Sequence, residues 1–304
     1  MQNRVLSTLV LGATLGLGAC TKAAQDSRAE ADADADSGGD SGEAKPTIPD
    51  GFVLIPAGSF EMGCTSELEA TGECYGDEYP VSEVTLTRDY LVSITEVTQD
   101  QYQAQMGVNP SYFTDCGGDC PVEQVSWHMA AAYAEALSAS EGLPSCYACT
   151  GSGEELECEA PEDPYACEGY RLGTEAEWEN AARCGEGTVY AGSDDPDLVA
   201  WTHGNSSSIT HPVATLAPNT CGLYDMSGNV WEWVHDGYAD YPGGSVTDPS
   251  RDKLEQEANA SWRVRRGGSW HGSTRLTRVS HRGGNWDPGD HSSYVGFRLF
   301  RTIP

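Results

Sequence analysis

Apolar Phe52 to Ile55, and then Phe60 and Met62 alternating with Ser59 and Glu61, flank Pro56-Ala57-Gly58 and predict two short strands. Val84, Leu86 and Tyr90 carry the same rhythm and predict a further strand from Val84 to Leu91. Helix signals follow. Thr98 and Gln101 form a capping box, so a helix starts there, runs to Met106 and stops at Gly107. Asn109-Pro110-Ser111 is a turn, and Ser126 caps a second, alanine-rich helix from Trp127 to about Ser140, closed by Gly142. Thr174 with Glu177 is another capping box and opens a third helix through Arg183. Beyond it Gly, Ser, Asn and Asp interrupt the chain constantly, leaving loops and short strands. Three early helices and a long irregular region closed by strands describe an α+β chain rich in loops.

Cys221 to Trp233, CGLYDMSGNVWEW, breaks the pattern. Its tryptophans, tyrosine and methionine call for burial, yet Asp225 and Glu232 sit among them and tolerate burial only beside positive charge. A hard cation such as calcium takes carboxylate and carbonyl oxygens. Ser227-Gly228-Asn229 is a turn able to aim carbonyls inward. The plainer reading places both acids on the surface of an ordinary strand pair.

The N-terminus changes the picture of where this chain works. Arg4 precedes an apolar run from Val5 to Leu17, too short to span a membrane, which reads as an export signal over residues 1–19. Leu17-Gly18-Ala19-Cys20 resembles the bacterial lipobox, making Cys20 the expected site of lipidation. Residues 20–49 are acidic and nearly free of large apolar side chains, so they form a disordered tether that ends where the domain of residues 50–304 begins. Of eleven cysteines, setting Cys20 aside leaves ten, an even number in a compartment that permits disulfides. The expected pairs are Cys64–Cys74, Cys116–Cys120, Cys184–Cys221 and, nested in an acidic, surface-exposed insertion over 143–170, Cys146–Cys167 around Cys149–Cys158. Cys146-x-x-Cys149 would be half a zinc site, but no second CxxC follows. A net charge of −30 argues against nucleic acid as a partner.

The ordered motifs carry a resemblance. Gly51 to Gly63, Glu96 to Tyr102, Pro121 to Trp127, Tyr170 to Trp178, Gly222 to Trp233, Arg266-Gly-Gly-Ser-Trp270 and Gly296-Phe-Arg298 resemble the formylglycine-generating enzyme, or sulfatase-modifying factor, family. Gly173 departs from the family's usual proline, which predicts a looser start to the third helix. The resemblance implies one compact C-type-lectin-like domain with little regular structure and a structural calcium held by Asp225, Gly228, Val230 and Glu232. Another calcium site of the family would lie near Asn205 to Ser207, where the match is poor. The family's oxidase chemistry uses two cysteines that hold copper(I), and their positions fall on Gly272 and Thr277. Neither offers a soft donor, and no cysteine follows Cys221, so copper is not expected. Trp231 and Ser269 resemble the family's pocket residues, and Trp270 and Arg275 complete the expected pocket.

A lipid-anchored envelope protein, sorted to the outer membrane and binding an envelope protein or small ligand, follows from these features. Its binding face would be a basic patch of His271, Arg275, Arg278 and Arg282 beside Trp270 and Trp286, unless the arginines pair with nearby acids. The enzymatic alternatives are the family's oxidase reaction on a sulfatase cysteine, or another reaction with Ser269 or with His271 as general base.

Overall fold

The computed structural model describes residues 47–251 and 262–304. The expected signal segment, Cys20 and nearly all of the tether lie outside the described residues. The helices are α1 (Ser66–Glu69), α2 (Gln99–Met106), α3 (Trp127–Glu141), α4 (Glu175–Arg183) and α5 (Pro196–Val199). Local code explains the longer ones. Thr98 accepts the Gln101 N–H while the Gln101 side chain accepts the Thr98 N–H, and Gly107 closes α2 at φ 78°. Ser126 accepts the Met129 N–H, and Gly142 closes α3 at φ 71°. Thr174 and Glu177 make the same reciprocal box on α4. Gly173 does not loosen that start: its carbonyl accepts the His235 N–H, and a Cβ there would lie 2.7 Å from the Phe300 ring.

The first strands are β1 (Phe52–Ile55), β2 (Gly58–Met62), β3 (Ser82–Leu86) and β4 (Tyr90–Ser93). Next come β5 (Ala148–Thr150), β6 (Glu157–Glu159), β7 (Ala200–Trp201) and β8 (Ser227–Gly228). The last are β9 (Trp231–Gly237), β10 (Gly244–Thr247), β11 (Arg263–Arg266), β12 (Gly283–Trp286), β13 (Val295–Gly296) and β14 (Phe300–Thr302). They form small sheets ordered β1-β4-β14, β10-β3-β2 and β12-β11-β9-β13, with the pairs β5-β6 and β7-β8. The two strands around Pro56 therefore belong to different sheets. The single strand expected over Val84–Leu91 is likewise two. Thr87 and Arg88 are exposed where the chain changes sheet, and the bend is held by Thr87 N–H donating to Asp248 and Ala57 N–H donating to Asp89.

All five expected disulfides are present, with Cys149–Cys158 nested inside Cys146–Cys167. Such disulfide usage belongs to an oxidising compartment, and it removes the zinc reading of Cys146 and Cys149. The 143–170 insertion is less exposed than expected. Cys146, Tyr147, Cys158 and Tyr165 are buried, and the Tyr147 ring meets Trp127 edge-on at 5.7 Å. Disulfide closure supplies the order that its acidic sequence lacks.

Apolar residues gather in two clusters, one around Trp178, Met226 and Phe300 and the other around Trp127, Trp233 and Phe297. α4 lies among them with Glu175, Glu177 and Glu179 all buried. Each acid meets an arginine: Glu175 takes Arg282, Glu177 takes Arg171, and Glu179 takes Arg183 and Arg266. Charges removed from water are tolerable only with such partners and hydrogen bonds in place.

Candidate functional site

The Gly228-Asn229 turn and the Gly267-Gly268-Ser269-Trp270 segment are stitched together by backbone. Gly228 N–H donates to the Gly267 carbonyl at 2.8 Å, and Trp270 N–H donates to the Asn229 carbonyl at 2.7 Å. Gly228 sits at φ 88°, and a Cβ there would lie 2.4 Å from the Trp201 carbonyl oxygen, so only glycine fits. Asn229 anchors the turn by donating its side-chain amide to Glu96 at 2.7 Å, and Val230 N–H donates to the other Glu96 oxygen at 3.0 Å.

This brings Glu96, Asp225 and Glu232 into one buried region. Their burial rules out the surface reading of Asp225 and Glu232. The positive partner for Glu232 is an arginine rather than a bound ion alone. Arg298 donates to both its oxygens at 2.7 Å, and Trp178 Nε1 donates at 2.6 Å. Asp225 accepts the Ala214 N–H at 2.8 Å. Burial pushes Asp225 up to about 6, and burial together with the negative charges of Asp225 and Glu232 pushes Glu96 well above the usual carboxylate range. The side-chain donors in this region are all oxygen, although both Glu232 oxygens are already engaged by Arg298. That chemistry fits a hard cation such as calcium. Near the other family site, Asn205 is committed to the Thr202 N–H and the Ala200 carbonyl, and Ser207 is exposed.

The expected pocket is a closed wall. Trp231, Ser269 and Trp270 are buried, and Trp270 Nε1 donates to the Ser293 carbonyl. Arg275 faces away, donating to the Glu73 carbonyl with its guanidinium 4.0 Å from the Tyr75 ring. The proposed basic patch does not exist as a surface. Arg278 is fully buried and grips Glu78, while Arg282 grips Glu175 through two nitrogens. Of the two readings open in the sequence, pairing with acids is the one the structure shows for Arg278 and Arg282, and the acids lie far away along the chain. His271 alone of that set is exposed, amid the rings of Trp270, Tyr294 and His203.

Open space lies beside this wall. A cleft of about 350 Å³ is lined by Tyr112, Phe113, Asp115, Cys116 and Ile209. Tyr112 is 70% exposed, and Phe113 meets Trp270 edge-on at 5.2 Å. Sequence reading missed this cleft and the role of Glu96. A single acid between Ile94 and Val97 was the available signal for the latter.

Residues 39–303 match the family described as the sulfatase-modifying factor enzyme 1-like domain. The chain belongs to this family. It is 29% identical over 322 residues to the chaperone protein LppX of Paenibacillus barcinonensis, covering 97% of both chains. It is 31% identical to the formylglycine-generating enzyme of Streptomyces coelicolor over 84% of this chain and 90% of that one. Among solved structures it is similar to Treponema denticola variable protein 1, with a TM-score of 0.70 and 33% identity over 83% of this chain and 95% of that one. Within this sulfatase-modifying-factor fold, the positions expected to carry copper thiolates hold a backbone hydrogen-bonded Gly272 and a buried Thr277 whose hydroxyl donates to the Thr274 carbonyl. Every described cysteine is consumed in a disulfide. The residues present do not fit copper(I). Cys64, Cys74 and Glu78 do cluster at metal-like spacing, but the two sulfurs are bonded to each other.

Proposed function

We propose that this chain is an exported lipoprotein, anchored through Cys20, whose sulfatase-modifying-factor domain binds an envelope protein or small ligand without performing the family's oxidation. The observation that carries this reading is the pair Gly272 and Thr277 in a domain whose described cysteines are all disulfide-bonded. A soft metal has no thiolate to bind there. Among the described residues no acid hydrogen-bonds His271 to orient it as a general base, and aromatic rings flank it. Calcium then acts structurally, held by the Asp225 and Glu232 side chains and the Gly228 and Val230 carbonyls beside Glu96. The tether sets the domain off the membrane, and the anchor places it in the outer membrane.

The full chain is incubated with copper(I) and a Cys-x-Pro-x-Arg peptide, and the peptide is weighed by mass spectrometry. An unchanged peptide is expected; conversion of its thiol to an aldehyde would overturn the non-catalytic reading. In the same preparation, Cys20→Ala is expected to release the protein from membranes. Calcium is expected to raise the melting temperature of the wild type but not of Asp225→Ala; equal response of both would remove the clamp.

A further inference from the structure

The buried arginines described above each grip a carboxylate. Arg265 does not. It is 5% exposed, and its Nε and Nη1 are buried without a hydrogen-bond partner. No carboxylate among the described residues comes within ion-pair distance of it. β11 places it opposite Trp233 on one neighbouring strand and opposite Gly283 on the other. Its guanidinium lies 3.9 Å from the Trp286 ring centre, 5.2 Å from that of Trp231 and 5.9 Å from that of Trp233. Gly283 leaves the Trp231 ring no room to share, since a Cβ there would lie 3.0 Å from it.

Ring faces answer part of the charge when water is excluded. They do not accept directed N–H bonds, so the guanidinium fork stays unsatisfied. Burial lowers Arg265 to about 9, outweighing the smaller opposing pull of Tyr294 and Asp290, neither of which makes an ion pair with it. In a chain with 47 acidic residues, leaving this one cation unpaired needs a reason.

We propose that Arg265 is the anion-recognising base of a binding site for a small organic carboxylate carrying a planar apolar body. A carboxylate is the planar two-oxygen partner that a guanidinium fork matches. The single charge of a carboxylate also matches the single Arg265 fork, which a doubly charged phosphate or sulfate exceeds. The body of the ligand has a defined course. Trp286 lies on the edge strand β12 and is partly exposed; its ring is 5.8 Å from Tyr294, which stacks at 5.8 Å on the exposed His271. This aromatic line runs from the Arg265 cage to the surface. Trp286 covers the guanidinium and moves aside as the carboxylate enters. Free small acids and the C-terminal carboxylate of a peptide share this chemistry. The proposal rests on the ligand-binding reading above and gives its ligand a chemical class.

The test titrates the full chain with benzoate at constant ionic strength, read by tryptophan fluorescence and by calorimetry. Saturable binding is expected, with benzamide and phosphate failing to compete. Arg265→Met is expected to weaken benzoate at least about tenfold, with its circular dichroism and calcium response unchanged. Should that variant fail to fold, the arginine Nε–H resonances of the wild-type protein are followed by NMR, and one buried resonance must shift with benzoate. Peptides ending in phenylalanine with a free or an amidated C-terminus separate the two sources: the free form alone should bind if a chain end is accepted. Absence of saturable benzoate binding, equal binding by Arg265→Met, or equal competition by phosphate would each overturn the proposal. None of these outcomes bears on the copper assay, so the two readings fail separately.

Discussion

Arg298→Met tests the buried ionic framework at a joint closed to solvent. Arg298 holds Glu232 through two nitrogens at 2.7 Å and also donates to the Tyr224 carbonyl at 2.8 Å and the Ser93 carbonyl at 3.2 Å. Both side chains of the pair are essentially without solvent contact. Methionine fills similar volume but leaves Glu232 with Trp178 Nε1 alone, in a region that already holds Glu96 and Asp225. Removing one partner of a buried pair costs about 3–5 kcal/mol, because the remaining charge is stranded. That is a large part of the roughly 5–15 kcal/mol that holds a domain together. Urea unfolding of the oxidised protein, with calcium present throughout, gives the difference from the midpoint and slope. Glu232→Gln on the same background removes the stranded charge. The double variant should recover at least about 1–2 kcal/mol relative to the sum of the singles. A loss below about 1 kcal/mol for Arg298→Met, or strict additivity in the double variant, would show that the pair is not the joint described.

Two further outcomes follow from other parts of the fold. The Cys184–Cys221 bridge spans 37 residues and Cys149–Cys158 spans 9, so loop entropy assigns them about 3.8 and about 2.6 kcal/mol. Paired Cys→Ala variants compared by thermal unfolding should rank in that order, and the reverse order would refute the entropic account. Glu123 accepts the Phe113 N–H through one oxygen while the other is buried and unpartnered, and burial raises it from 4.5 to about 7. The folded state then binds the proton more tightly than the unfolded one. Its contribution to stability rises as pH falls from about 7 toward 4.5, by up to about 3 kcal/mol. Asp236, raised by burial to about 7, acts in the same direction, so the wild type is compared with Glu123→Gln across that range. Identical pH profiles would show that Glu123 does not titrate as described.

The same residues show what could be read along the chain. The capping boxes at Thr98 and Thr174 and the glycine stops at Gly107 and Gly142 were legible because each is settled within one helical turn. The nested bridges of the insertion were legible because parity and hairpin closure leave few sensible pairings. The break at Thr87 was not, since neighbouring strands in different sheets look continuous in sequence. Whether the arginines after Trp270 form a surface patch or pair with acids stayed open for a related reason. Glu78 and Arg278 are 200 residues apart, and only the fold says that they touch.

The sequence by itself determined the three longer helices, the disulfide pairs, the family motifs and the loss of the thiol pair at Gly272 and Thr277. All of these depend on residue identity or on spacing of a few positions. Tertiary structure decided which charges are buried, which are paired and which are left over. It turned Glu232 toward Arg298, sank Arg278 and Arg282 beside their acids, and left Arg265 among tryptophans. The reason is electrostatic. In water a charge is worth little to its neighbours, whereas away from water its energy depends on the few ångströms to its partner. That distance is fixed by strands and helices drawn from opposite ends of the chain.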